Sequence, residues 1–363
     1  VSCVNEVTVT FTATDSCGNS SQTSATLFLK DTQAPVISKV AQGLTVSCDS
    51  NTEQALNNWL ANHAGAEATD SCSSVTWTNN YLPENFTTTC GTSGSVRVIF
   101  TAMDACGNSI PTEATFTIED KTAPVISLQA QNKTVSCDGS GNIEDLNAWL
   151  ASNGGAQATD GCSAVTWTNN FTTLSDLCGS TGTATVIFTA TDACRNTSIT
   201  SASFIIEDKI NPVFNGVLPT DVLVSCTSEV PVAAVLTATD NCGTARVTFT
   251  ETKGAACGSA IVRTWTAADA CGNQTVHTQT ITVEDKTAPV FTGTLPSNIT
   301  VNCDQIPAAA TLTATDNCAR PDVTFSEVKT AGNCANEYIL TRTWTAKDIC
   351  GNAVTHTQII KVE

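Results

Sequence analysis

One frame of residues recurs five times in this chain: Thr-Ala, a variable residue, Asp, a second variable residue, Cys, Gly or Arg, and Asn. It reads "TATDSCGN" from Thr12, "TAMDACGN" from Thr101, "TATDACRN" from Thr189, "TAADACGN" from Thr266 and "TAKDICGN" from Thr345. A second marker, "KDTQAPV" from Lys30 and "EDKTAPV" or "EDKINPV" from Glu119, Glu207 and Glu284, recurs in step with it. A third, "VSC" or "VNC", carries Cys48, Cys137, Cys226 and Cys303. Together they divide the chain into a partial unit at 1–30 and complete units at 31–120, 121–208, 209–285 and 286–363. Units this long exceed ordinary solenoid repeats and match small independent domains in tandem. The chain opens in the middle of a unit, so it is expected to be a piece of a longer protein.

Eighteen cysteines in 363 residues, at regular positions in every complete unit, point to disulfides and an oxidising, extracellular or periplasmic setting. Zinc fits less well, because no CxxC pair occurs and the three histidines, His63, His277 and His356, do not recur in all units. The net charge of −18 repels nucleic acid and anionic lipid, and no apolar run is long enough for a helix to cross a membrane.

Short alternating runs such as "SVRVIFTA", "TATVIFTA", "ATFTIED" and "QTITVED", bounded by Gly, Asn, Asp and Pro, read as strands. Several per unit give an all-β fold, a tandem array of immunoglobulin-like sandwiches, elongated as beads on a string. Val9, Phe11 and Ala13 align with Val98, Phe100 and Ala102 and with Val186, Phe188 and Ala190, and their period of two puts them on one core-facing side. Two units depart from this pattern. "TEQALNNWLANHAG" and "NIEDLNAWLASNGG" place Leu56, Trp59 and Leu60, and Leu146, Trp149 and Leu150, at helical spacing, with Thr52 or Asn142 as cap and Gly65 or Gly154 as stop. The helix is expected to pack over a sheet edge or sandwich end. The shorter units carry "QIPAAATLTA" at this place, which reads as strand.

Pairing of the cysteines follows from reach. A strand separates the third and fourth cysteines of a unit, and its length of roughly 26 Å exceeds the ~5.5 Å Cα separation of a bridge. A sandwich sets the first cysteine near the third at one pole and the second near the fourth at the other. The expected bridges are Cys48 with Cys90, Cys72 with Cys106, Cys137 with Cys178, Cys162 with Cys194, Cys226 with Cys257, Cys242 with Cys271, Cys303 with Cys334, and Cys318 with Cys350. A rival scheme, first with second and third with fourth, would join Cys3 to Cys17 in the partial unit.

Asp70, Asp160, Asp240 and Asp316 precede each second cysteine, and Asp104, Asp192, Asp269 and Asp348 each fourth one. The inter-unit segment adds Asp31, Glu119 with Asp120, Glu207 with Asp208, and Glu284 with Asp285 at the same pole. Carboxylates held together repel unless a cation or proton intervenes, and an oxygen-only set suits Ca²⁺. The competing reading is that these aspartates only form Asx turns. Asn19, Asn108, Asn196, Asn273 and Asn352 shape the following turn, where Gly supplies a positive φ and Arg195 breaks the series.

Catalytic signatures (GxSxG, P-loop, HExxH) are lacking, and paired carboxylates repeated in every unit argue against a single active site. The chain is read as non-catalytic. Trp77, Trp167, Trp265 and Trp344 are either core residues or sugar platforms, with Arg263 and Arg342 beside the latter two.

The run of "ATDNC", "TWTAxDxCGN" and "VEDKTAPVF" resembles the hyalin-type (HYR-like) repeat, an immunoglobulin-like extracellular module, above all as arrayed in surface adhesins of gliding Bacteroidota. The resemblance covers nearly the whole chain. It implies a large cell-surface protein exported by type IX secretion, a stalk or filament used in adhesion or gliding motility. The implied partners are surface polysaccharide or other cell-surface components and neighbouring repeats of the same chain. The alternatives are tandem glycan-binding modules and accessory domains of a secreted enzyme.

Overall fold

The computed structural model describes residues 4–48, 51–254, 257–333 and 336–363, so Cys3 and Cys334 lie outside the described residues. Two compact units emerge from the packing. One comprises Val1–Val135, Ile143–Ser175 and Thr183–Ile205; the other comprises Ser136–Asn142, Asp176–Gly182 and Ile206–Glu363.

In the first unit, Val4–Thr14 and Ser20–Lys30 form an antiparallel hairpin. Its apolar residues are not a core: Val9 is 43% and Phe11 58% exposed, whereas the equivalent Val98 and Phe100 are fully buried. The alternation is the same, but among the described residues this hairpin has no second sheet across from it. The repeat at 31–120 does have one. Val36–Lys39 pairs with Glu67–Thr69, and a larger sheet runs in the order Leu44–Ser47, Ser109–Glu119, Ser93–Met103, Thr76–Asn79, with Thr87–Cys90 beside Ser93–Met103. Leu44–Ser47 runs parallel to Ser109–Glu119, so the opening and closing segments of the repeat lie side by side. The repeat at 121–208 has the same two sheets, made of Val125–Leu128 with Gln157–Thr159, and Lys133–Ser136, Thr197–Glu207, Gly182–Thr191 and Thr166–Asn169 in that order. The architecture is thus all-β sandwiches in tandem, as expected.

Helix Thr52–Ala61 supplies what the strands lack. Trp59, 7% exposed, meets Phe100 edge to face at 5.2 Å and Phe116 at 5.5 Å, and its Nε1 donates to the Gln42 carbonyl at 2.9 Å. Trp149 of helix Ile143–Ala151 does the same with Phe188, Phe204 and the Gln131 carbonyl. These helices pack against the core. The cap position of the first is Asn51, with Thr52 already helical, and Asn142 directly precedes the second.

In the second unit the repeats at 209–285 and 286–363 have sheets of the same order, Val222–Val224, Gln274–Val283, Ala260–Ala268, Arg246–Thr252 and Ile299–Val301, Ala353–Val362, Tyr338–Lys347, Asp322–Ala331. Here the strand itself carries the large ring. Trp265 and Trp344 are each 1% exposed, and their Nε1 atoms donate to the Ala234 and Ala310 carbonyls. The stretch read as strand in "QIPAAATLTA" forms a ladder only at Thr313–Thr315. The reason is local. Pro307 has no N–H to donate, and the carbonyls of Pro307 and Ala310 accept from Arg342 and Trp344 side chains instead of a neighbouring strand.

The bridges correct the expected scheme. Cys48 bonds Cys162, Cys90 bonds Cys194, Cys137 bonds Cys242, Cys178 bonds Cys271, Cys226 bonds Cys318 and Cys257 bonds Cys350. In the repeats at 31–120, 121–208 and 209–285 the first cysteine therefore joins the second of the next repeat, and the third joins the fourth of the next. Neither the first-with-third scheme nor its rival holds. Cys72 and Cys303 are free thiols, so Cys72 with Cys106 does not form, although Cys106 is itself disulfide-bonded, and the expected partner of Cys303, Cys334, lies outside the described residues.

Within a repeat, the second- and fourth-cysteine loops do lie together. Ser163 Oγ accepts from the Ala193 amide, tying the second-cysteine loop to the fourth, as Ser73 and Ala105 do one repeat earlier. The opposite pole faces the next repeat, where Thr92 N and Oγ1 both donate to the Cys162 carbonyl. Gly91, at φ 54°, permits that approach, since a Cβ there would lie 2.7 Å from the Cys162 oxygen.

Candidate metal centres

Each linker aspartate opens an Asx turn and then leaves an oxygen over. Asp120 Oδ1 accepts from Thr122 N at 3.0 Å, while Oδ2 is buried without a partner in a residue only 7% exposed. Asp31 Oδ2, Asp208 Oδ2 and Asp285 Oδ2 are left in the same way, with their Oδ1 atoms taken by Gln33, Ile210 and Thr287 amides. One oxygen of each linker aspartate thus makes the turn and the other faces inward.

Two further carboxylates converge on Asp120. Asp160 Oδ1 accepts from Cys162 N and Ser163 N, both at 2.9 Å, and one oxygen from each of Asp120, Asp160 and Asp192 lies within 4.8 Å of the others. Asp192 is 5% exposed and is gripped by Asn196, whose N–H and Nδ2 donate to it at 2.8 and 2.7 Å. The same Asn196 Nδ2 reaches the Asp120 carbonyl at 3.4 Å. The asparagine of the recurring frame thus clasps the linker as well as shaping its own turn. Asn108, Asn273 and Asn352 reach the carbonyls of Asp31, Asp208 and Asp285 in the same way.

The trio recurs in the second unit as Asp208, Asp240 and Asp269, with Asp208 Oδ2 and Asp240 Oδ2 both unpartnered. Asp31 with Asp70, and Asp285 with Asp316, come together as pairs beside Cys72 and Cys318. Asp104 and Asp348 are not in those pairs. Burial pushes their carboxyls up, but the donors of Asn108 or Asn352 and of the following backbone outweigh it and hold both below the ordinary range. Asp269 is held down by the same competition, with Asn273 as the donor. The predicted glutamates stand outside the clusters: Glu119, Glu207 and Glu284 pair with Lys121, Lys209 and Lys286.

Two carboxylates about 5 Å apart repel by about 3 kcal/mol at an effective dielectric of about 20. Hard oxygen donors in such a trio suit Ca²⁺ or a similar divalent cation. The sulfurs beside Asp120 and Asp285 offer no thiolate, because Cys48 and Cys162 are bonded to each other and Cys318 is bonded to Cys226, whereas Cys72 beside Asp31 and Asp70 is a free thiol.

Of the tryptophans offered as sugar platforms, Trp265 and Trp344 are core. Trp77 and Trp167 are half-buried, and Trp77 stacks on His63 at 5.2 Å. Turn geometry follows the sequence: Gly107, Gly272 and Gly351 have φ of 84°, 94° and 92°, and Arg195 adopts 74° in their place.

Residues 215–283 match the model of a family described as "HYR-like domain with 4 cysteines", a span that holds Cys226, Cys242, Cys257 and Cys271. No curated protein matches the chain. Among solved structures it is similar to the protocadherin GammaB4 extracellular domain, at 12% identity and TM-score 0.38 over 99% of this chain and 72% of that one. It is also similar to Drosophila N-cadherin EC1-4 (13%, TM-score 0.23, 81% and 93%) and to Sidekick-1 immunoglobulin domains 1-5 (13%, TM-score 0.28, 93% and 83%).

Proposed function

We propose that this chain is a non-catalytic, extracellular repeat array, a disulfide-stabilised spacer or stalk segment of a cell-surface adhesin. Its domains begin near Asp31, Lys121, Lys209 and Lys286. The observation that carries the reading is the regular bridging of each repeat to the next, a use of cysteine suited to an oxidising exterior and to a protein whose work is to hold its repeats in series. Service in adhesion or gliding, with surface polysaccharide or other cell-surface components as partners, is the finer form of the same proposal. Glycan binding by tandem aromatic platforms is less favoured, since the strand tryptophans Trp265 and Trp344 are in the core.

Ca²⁺ is part of the proposal. Asp120, Asp160 and Asp192, and Asp208, Asp240 and Asp269, are the sets of residues that would hold it, each presenting at least one buried oxygen without a partner. A bound divalent ion would neutralise the trio and tie the linker to the two loops of the repeat it enters. Isothermal titration of the chelator-stripped chain with CaCl₂ tests this. Saturable heat, with a melting temperature that rises with Ca²⁺, supports the assignment; no heat and an unchanged melt refute it.

A further inference from the structure

The bridges define a covalent route through the chain far shorter than the chain itself. From Cys48 a bridge leads to Cys162, and Cys178 lies 16 residues further on. A second bridge leads to Cys271, Cys257 lies 14 residues back, and a third bridge reaches Cys350. Only ~30 residues of main chain separate Cys48 from Cys350 by this route, against 302 along the sequence. At 3.3–3.6 Å per residue the two paths pull taut at about 120 Å, bridges included, and about 1,000 Å.

We infer, building on the array reading above, that tension along this chain is borne by the staggered bridges, which place most of every folded core off the load path. A pull that reaches Cys48 through Val36–Lys39 and Leu44–Ser47 leaves at Cys162, so the main chain between those two cysteines is bypassed. Two stretches do carry load. Residues 257–271 contain Ala260–Ala268, an inner strand paired antiparallel on both sides, to Arg246–Thr252 and to Gln274–Val283. Force applied at its ends puts in tension a strand that two ladders hold in place. Residues 162–178 contain Thr166–Asn169, paired on one side only, to Gly182–Thr191, and this stretch is the compliant one. The stagger is what achieves this. Bridges closed within repeats would leave every linker in series, and ~157 residues between Cys48 and Cys350 would be free to extend, about 500–600 Å.

Single-molecule stretching of the whole chain between its termini, before and after reduction, separates these cases. The staggered bridges require reduction to release at least about 900 Å of contour length, and require the oxidised chain to show no repeat-sized unfolding steps below disulfide rupture. A release near 500 Å, or repeat-sized steps in the oxidised chain, overturns the inference. That result would leave the extracellular-array reading standing, which fails instead if the chain in its own compartment carries reduced cysteines throughout.

Discussion

Cys178 and Cys271, 93 residues apart in sequence, are bonded with their Cα atoms 5.0 Å apart. The first lies in the repeat at 121–208 and the second in the repeat at 209–285, so the bond serves the connection between repeats and not the closure of either. Every cysteine of the repeat at 209–285 has its partner outside that repeat.

That repeat expressed alone should therefore carry four free thiols when titrated with a thiol reagent under native conditions. With its crosslinks gone, it should be less stable than the same repeat in the chain by at least about 3 kcal/mol, the usual worth of a bridge closing a long loop. Urea denaturation followed by the fluorescence of Trp265 measures the difference.

Asp120→Asn should change sign with calcium. In chelator the substitution removes one of three crowded carboxylates, so the melting temperature should hold or rise. At Ca²⁺ a hundred times the dissociation constant the native chain gains about 2.7 kcal/mol by mass action, and the variant should lose most of that gain. Calorimetry of both proteins in both buffers reads the crossover.

Acid should weaken the fourth-cysteine turns. Burial pushes Asp104, Asp269 and Asp348 up, but the asparagine and backbone donors prevail and hold each below its unfolded value. A depressed carboxyl contributes stability above the unfolded pKa of about 3.9, and that contribution is lost as pH falls through the folded one. Stability should be level from pH 7 to about 5 and fall below about 4. Asn352→Ala removes the side-chain donor to Asp348, leaving the backbone one, and should diminish the contribution of that turn, which pH-resolved denaturation would register as a shallower acid loss.

Arg195 stands at φ 74°, where every sister turn has glycine. Arg195→Gly relieves a left-handed strain of about 1 kcal/mol, part of which the added freedom of the unfolded chain offsets. The variant should be as stable as the parent or up to about 1 kcal/mol more stable in equilibrium denaturation.

Alternation and turn residues made the strands, the two helices and the positive-φ turns legible, because these are set within a few residues of sequence. The convergence of Asp120 with Asp160 and Asp192 was also legible, since the second- and fourth-cysteine motifs recur together with the linker. The bridges were not. Sandwich topology set the first cysteine near the third and the second near the fourth, but two cysteines at one pole can face across to the next repeat as readily as to each other. The glycine after the third cysteine held the missing signal, for Gly91 and Gly179 stand where a Cβ would strike the carbonyls of Cys162 and Cys242 in the following repeat. The exposure of Phe11 was hidden for a like reason: it depends on what lies across from the segment, not on the segment.

The central claim is the stagger of the bridges, and the most direct measurement is a peptide map of the unreduced chain. Digestion with thiols blocked, followed by mass spectrometry, should yield crosslinked peptides joining Cys48 to Cys162, Cys178 to Cys271 and Cys257 to Cys350. Peptides joining Cys137 to Cys178 or Cys226 to Cys257 in their place would contradict the account.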